Sequence, residues 1–447
     1  MKRKMILVLI TVVFIITIIP IEASINISTN NEKSISNIYD CIYNGRLEER
    51  NGIKILHLNG SYYEMGYQHG FLLKDDIHAV FNAFLNWATE KGFSYEDILQ
   101  KWNIMKPLLP ECYIDEMKGV ADASGLSLEN ISVLNVGFYL IINCGSFAAW
   151  GTATKDGKLL HVRSHDLPIK IMDPNSGTYL VETQVLFIRE PDGFYSSISP
   201  SEPGIVSVSD GFNENEIAVG MLSSWTNDET FKGIGVGFRI RMILDTTSSI
   251  DEAIDILISN KTLGYNFIVS DAKIPIGYAV ENTANISYVG TWNSTSESIA
   301  PFWEIENVVR RANLFVDTKT AETQRKQYHP GKFPIFSIIL NLNKMSGTSI
   351  SAARTWVHFT AISKGIESEL GNLDLNKTMT ILRDIYLGKT DFRFFFMQLL
   401  RAYSTPYQWV MCPENGDFVL SFATRDKNAF NNPVHYFNFY ELLDENS

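Results

Sequence analysis

The chain has 447 residues, 45% of them hydrophobic and 12% aromatic, enough for a large core. Its formal charge of −12 argues against nucleic acid as a partner. It has four cysteines and neither Cys-x-x-Cys nor His-Glu-x-x-His spacing, so no metal site or other cofactor is expected.

The chain opens with basic Met1-Lys2-Arg3-Lys4, an apolar run from Met5 to Ile19, and a small-residue cleavage site near Ala23. This is the pattern of an export signal over residues 1–23. The run is short for a membrane span. A secreted or extracytoplasmic protein is expected, with an uncleaved anchor as the alternative. In an exported chain, at most one disulfide is expected among Cys41, Cys112 and Cys412. Residues 24–50 read as a loose N-terminal segment.

Ile53–Leu58 alternate like a strand, and Ser61 with Glu64 forms a capping box that opens a helix. Helical spacing follows over Asp76–Trp87, Ser94–Met105 and Cys112–Ser124, and a further apolar helix runs to Ile142.

At Asn143 the texture turns to β. Asn143-Cys144-Gly145-Ser146-Phe147-Ala148-Ala149 is followed by Lys155-Asp156-Gly157-Lys158, a turn, and by the strand that ends in Arg163 and Asp166. This predicts a β-hairpin. Antiparallel pairing then sets the Cys144 thiol beside a guanidinium and a carboxylate. The plainer reading is a buried structural cysteine.

Thr178–Arg189 and Phe194–Val208 read as β structure, and Asp210–Glu216 is a turn feeding the next strand. Asp245–Asn260 reads as one amphipathic helix, stopped at Gly264. The buried strand after it contains Asn266, which either caps a bulge or points at Cys144. Ser349–Ile362 and Leu373–Tyr386 read as helices, the first holding Arg354. Gln408–Cys412 and Phe418–Ala423 close as a hairpin. There is no repeat or linker after residue 40, which predicts one domain.

Several blocks, in order over about residues 50–442, resemble the acyl-coenzyme A:isopenicillin N acyltransferase-like family of N-terminal nucleophile hydrolases. These are self-cleaving enzymes of linear amide C–N bonds. Bile salt hydrolase, penicillin V acylase and acid ceramidase are more distant relatives. The blocks are Gly66-Tyr67-Gln68-His69-Gly70, Cys144 with Arg163-x-x-Asp166, Gly264-Tyr265-Asn266, Arg310-Arg311-Ala312-Asn313, Ser351-x-x-Arg354 and Tyr436-Phe437-Asn438-Phe439. Ser164, Ser223 and Leu314 stand where the family usually has Asn, Asn and His.

The resemblance implies an α+β fold, a four-layer α/β/β/α sandwich with an N-terminal helical segment. It implies a cut between Asn143 and Cys144, with residues 51–143 and 144–447 staying associated as small and large chains. Cys144 is then the nucleophile, and its new α-amine, with a reference pKa near ~8, is the base. Asp166 would orient the amine, and Arg163 would hold Asp166 and favour thiolate. Asn266 and Ser223 are candidates for the oxyanion hole, and Arg354 matches a later active-site arginine. The expected substrate is a small-molecule N-acyl amide, opened through a thioester at Cys144, with water or an amine as acceptor. Two rivals stand beside this reading: a non-catalytic secreted binding protein on the same fold, and a lipid-directed amidase or phospholipase-like hydrolase. No Gly-x-Ser-x-Gly elbow supports a serine hydrolase.

Overall fold

The computed structural model describes residues 44–138, 143–325, 349–400 and 403–444, all within one compact unit. The export-signal stretch, Cys41 and residues 139–142 lie outside the described residues.

The strands are β1 (Arg46–Arg50), β2 (Ile53–Gly60), β3 (Asn143–Ala149), β4 (Leu160–Asp166), β5 (Val185–Pro191), β6 (Ser197–Ser201), β7 (Asp210–Asn213) and β8 (Ile217–Ser223). After them come β9 (Tyr265–Asp271), β10 (Ile276–Asn282), β11 (Ser287–Gly290), β12 (Val308–Arg311), β13 (Tyr407–Cys412), β14 (Asp417–Phe422) and β15 (His435–Asn438). They form a nine-stranded sheet, ordered β1-β2-β5-β6-β7-β8-β9-β10-β11, and a six-stranded sheet, ordered β12-β3-β4-β13-β14-β15.

Side-chain alternation along β5 shows why the sheets stack. Val185 and Phe187 join the apolar cluster that includes the N-terminal helices. Leu186 and Ile188 point the other way, into a cluster with Trp409, Met411, Phe418 and Leu420 of the second sheet. Both faces are therefore buried.

Helices α1 (Tyr62–Leu72), α2 (Lys74–Glu90), α3 (Tyr95–Met105), α4 (Glu111–Ser124), α5 (Leu128–Gly137), α6 (Val236–Thr246) and α7 (Ile250–Ile258) cover the nine-stranded sheet. After the short α8 (Thr318–Ala321), helices α9 (Ser349–Glu367), α10 (Leu375–Tyr386) and α11 (Phe392–Leu400) cover the six-stranded one. The order is helix, sheet, sheet, helix: the expected four-layer α+β sandwich.

Three expectations at the level of elements are corrected. Residues 46–50 are not loose. They pair with β2 around Asn51 and Gly52, whose φ values of 55° and 79° make the tight turn of a two-residue hairpin. Asp245–Asn260 is two helices, because Thr247 leaves the helix and Ser249 starts the next with its own Glu252 capping box. The β stretch over 178–208 narrows to β5 and β6, with a 3₁₀ turn at Leu180–Glu182.

Candidate active site

The pairing of β3 with β4 sets Asn143 opposite Asp166, Cys144 opposite His165 and Ser146 opposite Arg163. The connection from Ala149 to Leu160 is longer than a tight turn and holds a 3₁₀ turn at Gly151–Ala153. The register that matters is nevertheless the expected one. Cys144 is fully buried, and Arg163 Nη2 donates to its Sγ at 2.8 Å.

Arg163 does not hold Asp166 as expected. Its Nε donates to Asp210 Oδ2 at 3.2 Å, and its Nη1 to the carbonyl of Ser164 at 2.6 Å. Asp210 in turn accepts from Ser209 Oγ, Tyr407 OH and Trp409 Nε1. Gly220 on β8 lets this happen, since a Cβ there would lie 3.1 Å from Arg163 Cδ.

Asp166 is held instead by hydroxyls. It accepts from Tyr386 OH at 2.8 Å, Thr405 Oγ1 at 2.8 Å and Ser164 Oγ at 3.2 Å. The serine at 164, a departure from the family pattern, thus binds the carboxyl directly. The electrostatics belong to an uncut chain. Burial pushes the Cys144 thiol up to about 12, against the lowering effect of Arg163. Burial also pushes Asp166 up to about 7, opposed by its hydroxyl donors and by Arg163. In the continuous chain the thiol is therefore protonated at neutral pH.

Asp210, Tyr386 and Thr405 were not foreseen from the sequence, and neither was Asn313. The backbone N–H of Cys144, part of the Asn143–Cys144 peptide bond, donates to Asn313 Oδ1 at 2.9 Å. Asn313 Nδ2 donates to the carbonyl of Ser223 at 2.7 Å. The only signal in sequence was its place after the paired arginines. Asn266 makes no hydrogen bond to the thiol among the described residues, and its buried Oδ1 has no partner there. Its Nδ2 contacts Ser224 Oγ at 2.7 Å and the carbonyls of Ala312 at 3.0 Å and Leu314 at 2.8 Å. It grips the residues on either side of Asn313. Ser223 approaches the site through its carbonyl, while its buried hydroxyl has no partner among the described residues.

Arg354 sits over an aromatic ring. Its guanidinium lies 3.9 Å above the ring of Tyr403. Tyr403 packs on His358, which stacks on Phe394 with ring centroids 5.0 Å apart. His358 and Tyr386 press on Gly145, where a Cβ would lie 3.1 Å from each. A side chain after Cys144 would have to displace these rings by a few tenths of an ångström. His69 is structural, its Nε2 accepting from the backbone N–H of Gly204 at 2.9 Å. Cys112 and Cys412 are free thiols.

With this geometry in place, residues 152–353 match the family described as acyl-coenzyme A:6-aminopenicillanic acid acyl-transferase. The resemblance read from the sequence is borne out over that segment, which includes Arg163, Asp166, Asn266 and Asn313. Protein dcd1A of Dictyostelium discoideum is 27% identical over 241 residues, 47% of this chain and 53% of that protein. Mouse acid ceramidase is 25% identical over 221 residues, 45% of this chain and 54% of the enzyme. The chain spans about half the length of the curated relatives it matches. The structure of penicillin V acylase from Agrobacterium tumefaciens superposes with a TM-score of 0.39 at 15% identity, over 67% of this chain and 87% of that one.

Proposed function

We propose that this chain is an exported, self-cleaving cysteine hydrolase that opens linear amide C–N bonds of N-acyl compounds through a thioester at Cys144. The observation that carries the reading is the pairing of two opposed groups at one peptide bond. Arg163 contacts the thiol on the C-terminal side of Asn143–Cys144, and Asp166 sits across the strand from Asn143.

In the uncut chain the thiol lacks a free amine beside it and is held protonated by burial. Cutting frees the Cys144 α-amine, which accepts the thiol proton as general base. Asp166, already ringed by three hydroxyls, receives the resulting ammonium. Arg163 lies against the sulfur and lowers the cost of thiolate. Asn313 holds the nitrogen end of Cys144 in register through the cut. The thiolate attacks the amide carbon, the C–N bond breaks with the proton passing to the leaving amine, and water then releases the acyl group. Acid ceramidase among the relatives supports an N-acyl amide as substrate.

Intact mass under denaturing conditions tests this. Two fragments divided between Asn143 and Cys144 are expected, together with release of acid from N-acyl amides. An exported chain of single mass would overturn the self-cleavage.

A further inference from the structure

The nine-stranded sheet has two edges, and they are protected differently. The edge strand β1 reads Arg-Leu-Glu-Glu-Arg, and such charge discourages pairing with another chain. The opposite edge strand, β11, reads Ser-Tyr-Val-Gly and pairs with β10 alone. It carries neither charge nor proline, and Val289 is 37% exposed on it.

What surrounds β11 is a group of Asn-x-Ser/Thr triplets, the acceptor sequence for N-linked glycans. Asn285-Ile286-Ser287 leads into the strand and Asn293-Ser294-Thr295 follows it. Asn260-Lys261-Thr262 is tied to the same strand, because Lys261 Nζ donates to Ser287 Oγ at 2.7 Å. All three asparagines are exposed and lie outside helices and strands. Two other triplets differ. Asn59 and Asn130 are only half-buried rather than exposed, although hydrogen bonding alone does not set them apart, since Asn285 Nδ2 also donates to Asp228.

We infer that Asn260, Asn285 and Asn293 carry N-linked glycans that shield the uncharged edge of the sheet. The inference rests on the export reading above but not on the chemistry at Cys144. The donor is an oligosaccharide carried on a lipid phosphate or pyrophosphate. Asn Nδ2 bonds to the sugar C1, the C1–O bond to phosphate breaks, the lipid phosphate leaves with that electron pair, and the amide gives up one proton. The other N–H remains, so the bond from Asn285 Nδ2 to Asp228 Oδ1 survives modification.

The test secretes the full chain, with its own leader, from a host that performs N-glycosylation. Peptide mass mapping is expected to find all three positions occupied. The triple Asn→Gln variant is then compared with the parent by sedimentation. It is expected to self-associate at a concentration at least tenfold lower. Asn376→Gln, which removes an exposed triplet on α10, is expected to behave like the parent. Secreted protein with bare Asn285 and Asn293 overturns the inference, and a triple variant that associates no more than the parent overturns the shielding role. Retention of the whole chain inside the cell overturns the export reading and this inference with it. None of these results bears on amide hydrolysis.

Discussion

Two buried arginines lie in one row across the six-stranded sheet, and their partners differ. Arg311 on β12 faces Ser146 on β3, which faces Arg163 on β4. Both side chains are fully buried. Arg311 is enclosed by carboxylates: it meets Glu281 at 3.0 Å and Glu297 at 2.6 Å. Glu281 also accepts from the backbone N–H groups of Val316 and Asp317 and from Thr320 Oγ1. Arg163 divides its donors among one carboxylate, a carbonyl and a thiol. Burial of a charge therefore does not mark function by itself. The distinguishing feature is the thiol among the partners of Arg163.

The largest expected effect removes that partner. Cys144→Ala should give an uncut chain with no measurable turnover, whereas Cys112→Ala and Cys412→Ala should be cut like the parent. Denaturing mass analysis reads all three. Cutting at the same bond in Cys144→Ala would erase the distinction between the two arginines.

The next pair compares the arginines directly. Arg311→Met leaves Glu281 and Glu297 buried without their cation, a loss of about 3–5 kcal/mol in stability. Arg163→Met leaves Asp210 with its serine, tyrosine and tryptophan donors, so unfolding should shift less. Turnover per folded molecule should instead drop about a hundredfold, as when a charge-stabilising donor is removed from an active site. Chemical denaturation and kinetics on the same preparations decide. A larger stability loss in Arg163→Met, with normal turnover in what remains folded, would make Arg163 a second staple.

Asp166→Asn probes the group across from the cut. A hydrogen bond to a charged partner contributes roughly 1.5–3 kcal/mol, so amide hydrolysis should slow by about ten- to a hundredfold. Folding should respond in the other direction at neutral pH. In the uncut chain Asp166 keeps its proton up to about pH 7, against an ordinary value of 3.8. Between those values the folded carboxyl holds a proton that the unfolded one has lost. Stability then falls as pH rises through that window and is level above it. In a Cys144→Ala background, Asp166→Asn should flatten this slope, measured as the difference in unfolding free energy at pH 4 and pH 7. An unchanged slope would mean that the carboxyl is ionised throughout.

The strand pairing that builds this site was legible because it rests on local rules. Strand alternation on either side of a short connection, with an arginine near the end of the second strand, brings Arg163 to Cys144, although the connection itself is longer than the tight Asp-Gly turn expected. The layers followed from apolar periodicity and family resemblance. The contacts that cross between elements were not legible. Asp210, Tyr386 and Thr405 lie 47, 220 and 239 residues from their partners Arg163 and Asp166, and nothing in local pattern links them. The break at Thr247–Ser249 was hidden for another reason. The apolar face continues through it, and only the serine cap marks a new helix.

Asn266 shows the same limit, and it supplies the smallest predicted effect. Its position on an apolar strand is compatible with a bulge cap or an amide aimed at the Cys144 site, and its Nδ2 bonds the carbonyls on either side of Asn313. Asn313→Ala removes the acceptor for the N–H of the Asn143–Cys144 bond, where the cut is proposed. One hydrogen bond of about 1 kcal/mol corresponds to cutting about fivefold slower. Asn266→Ala acts one step removed, by releasing the Ala312 and Leu314 carbonyls. It should slow cutting by a smaller factor and should not add to Asn313→Ala in the double variant, because both changes free the same loop. Time courses of fragment appearance, followed by turnover of the mature enzyme, separate this from direct participation. If Asn266 donates to the oxyanion, Asn266→Ala will leave cutting at the parent rate and depress turnover alone. If it positions Asn313, cutting slows first, and turnover of the chains that have been cut changes little.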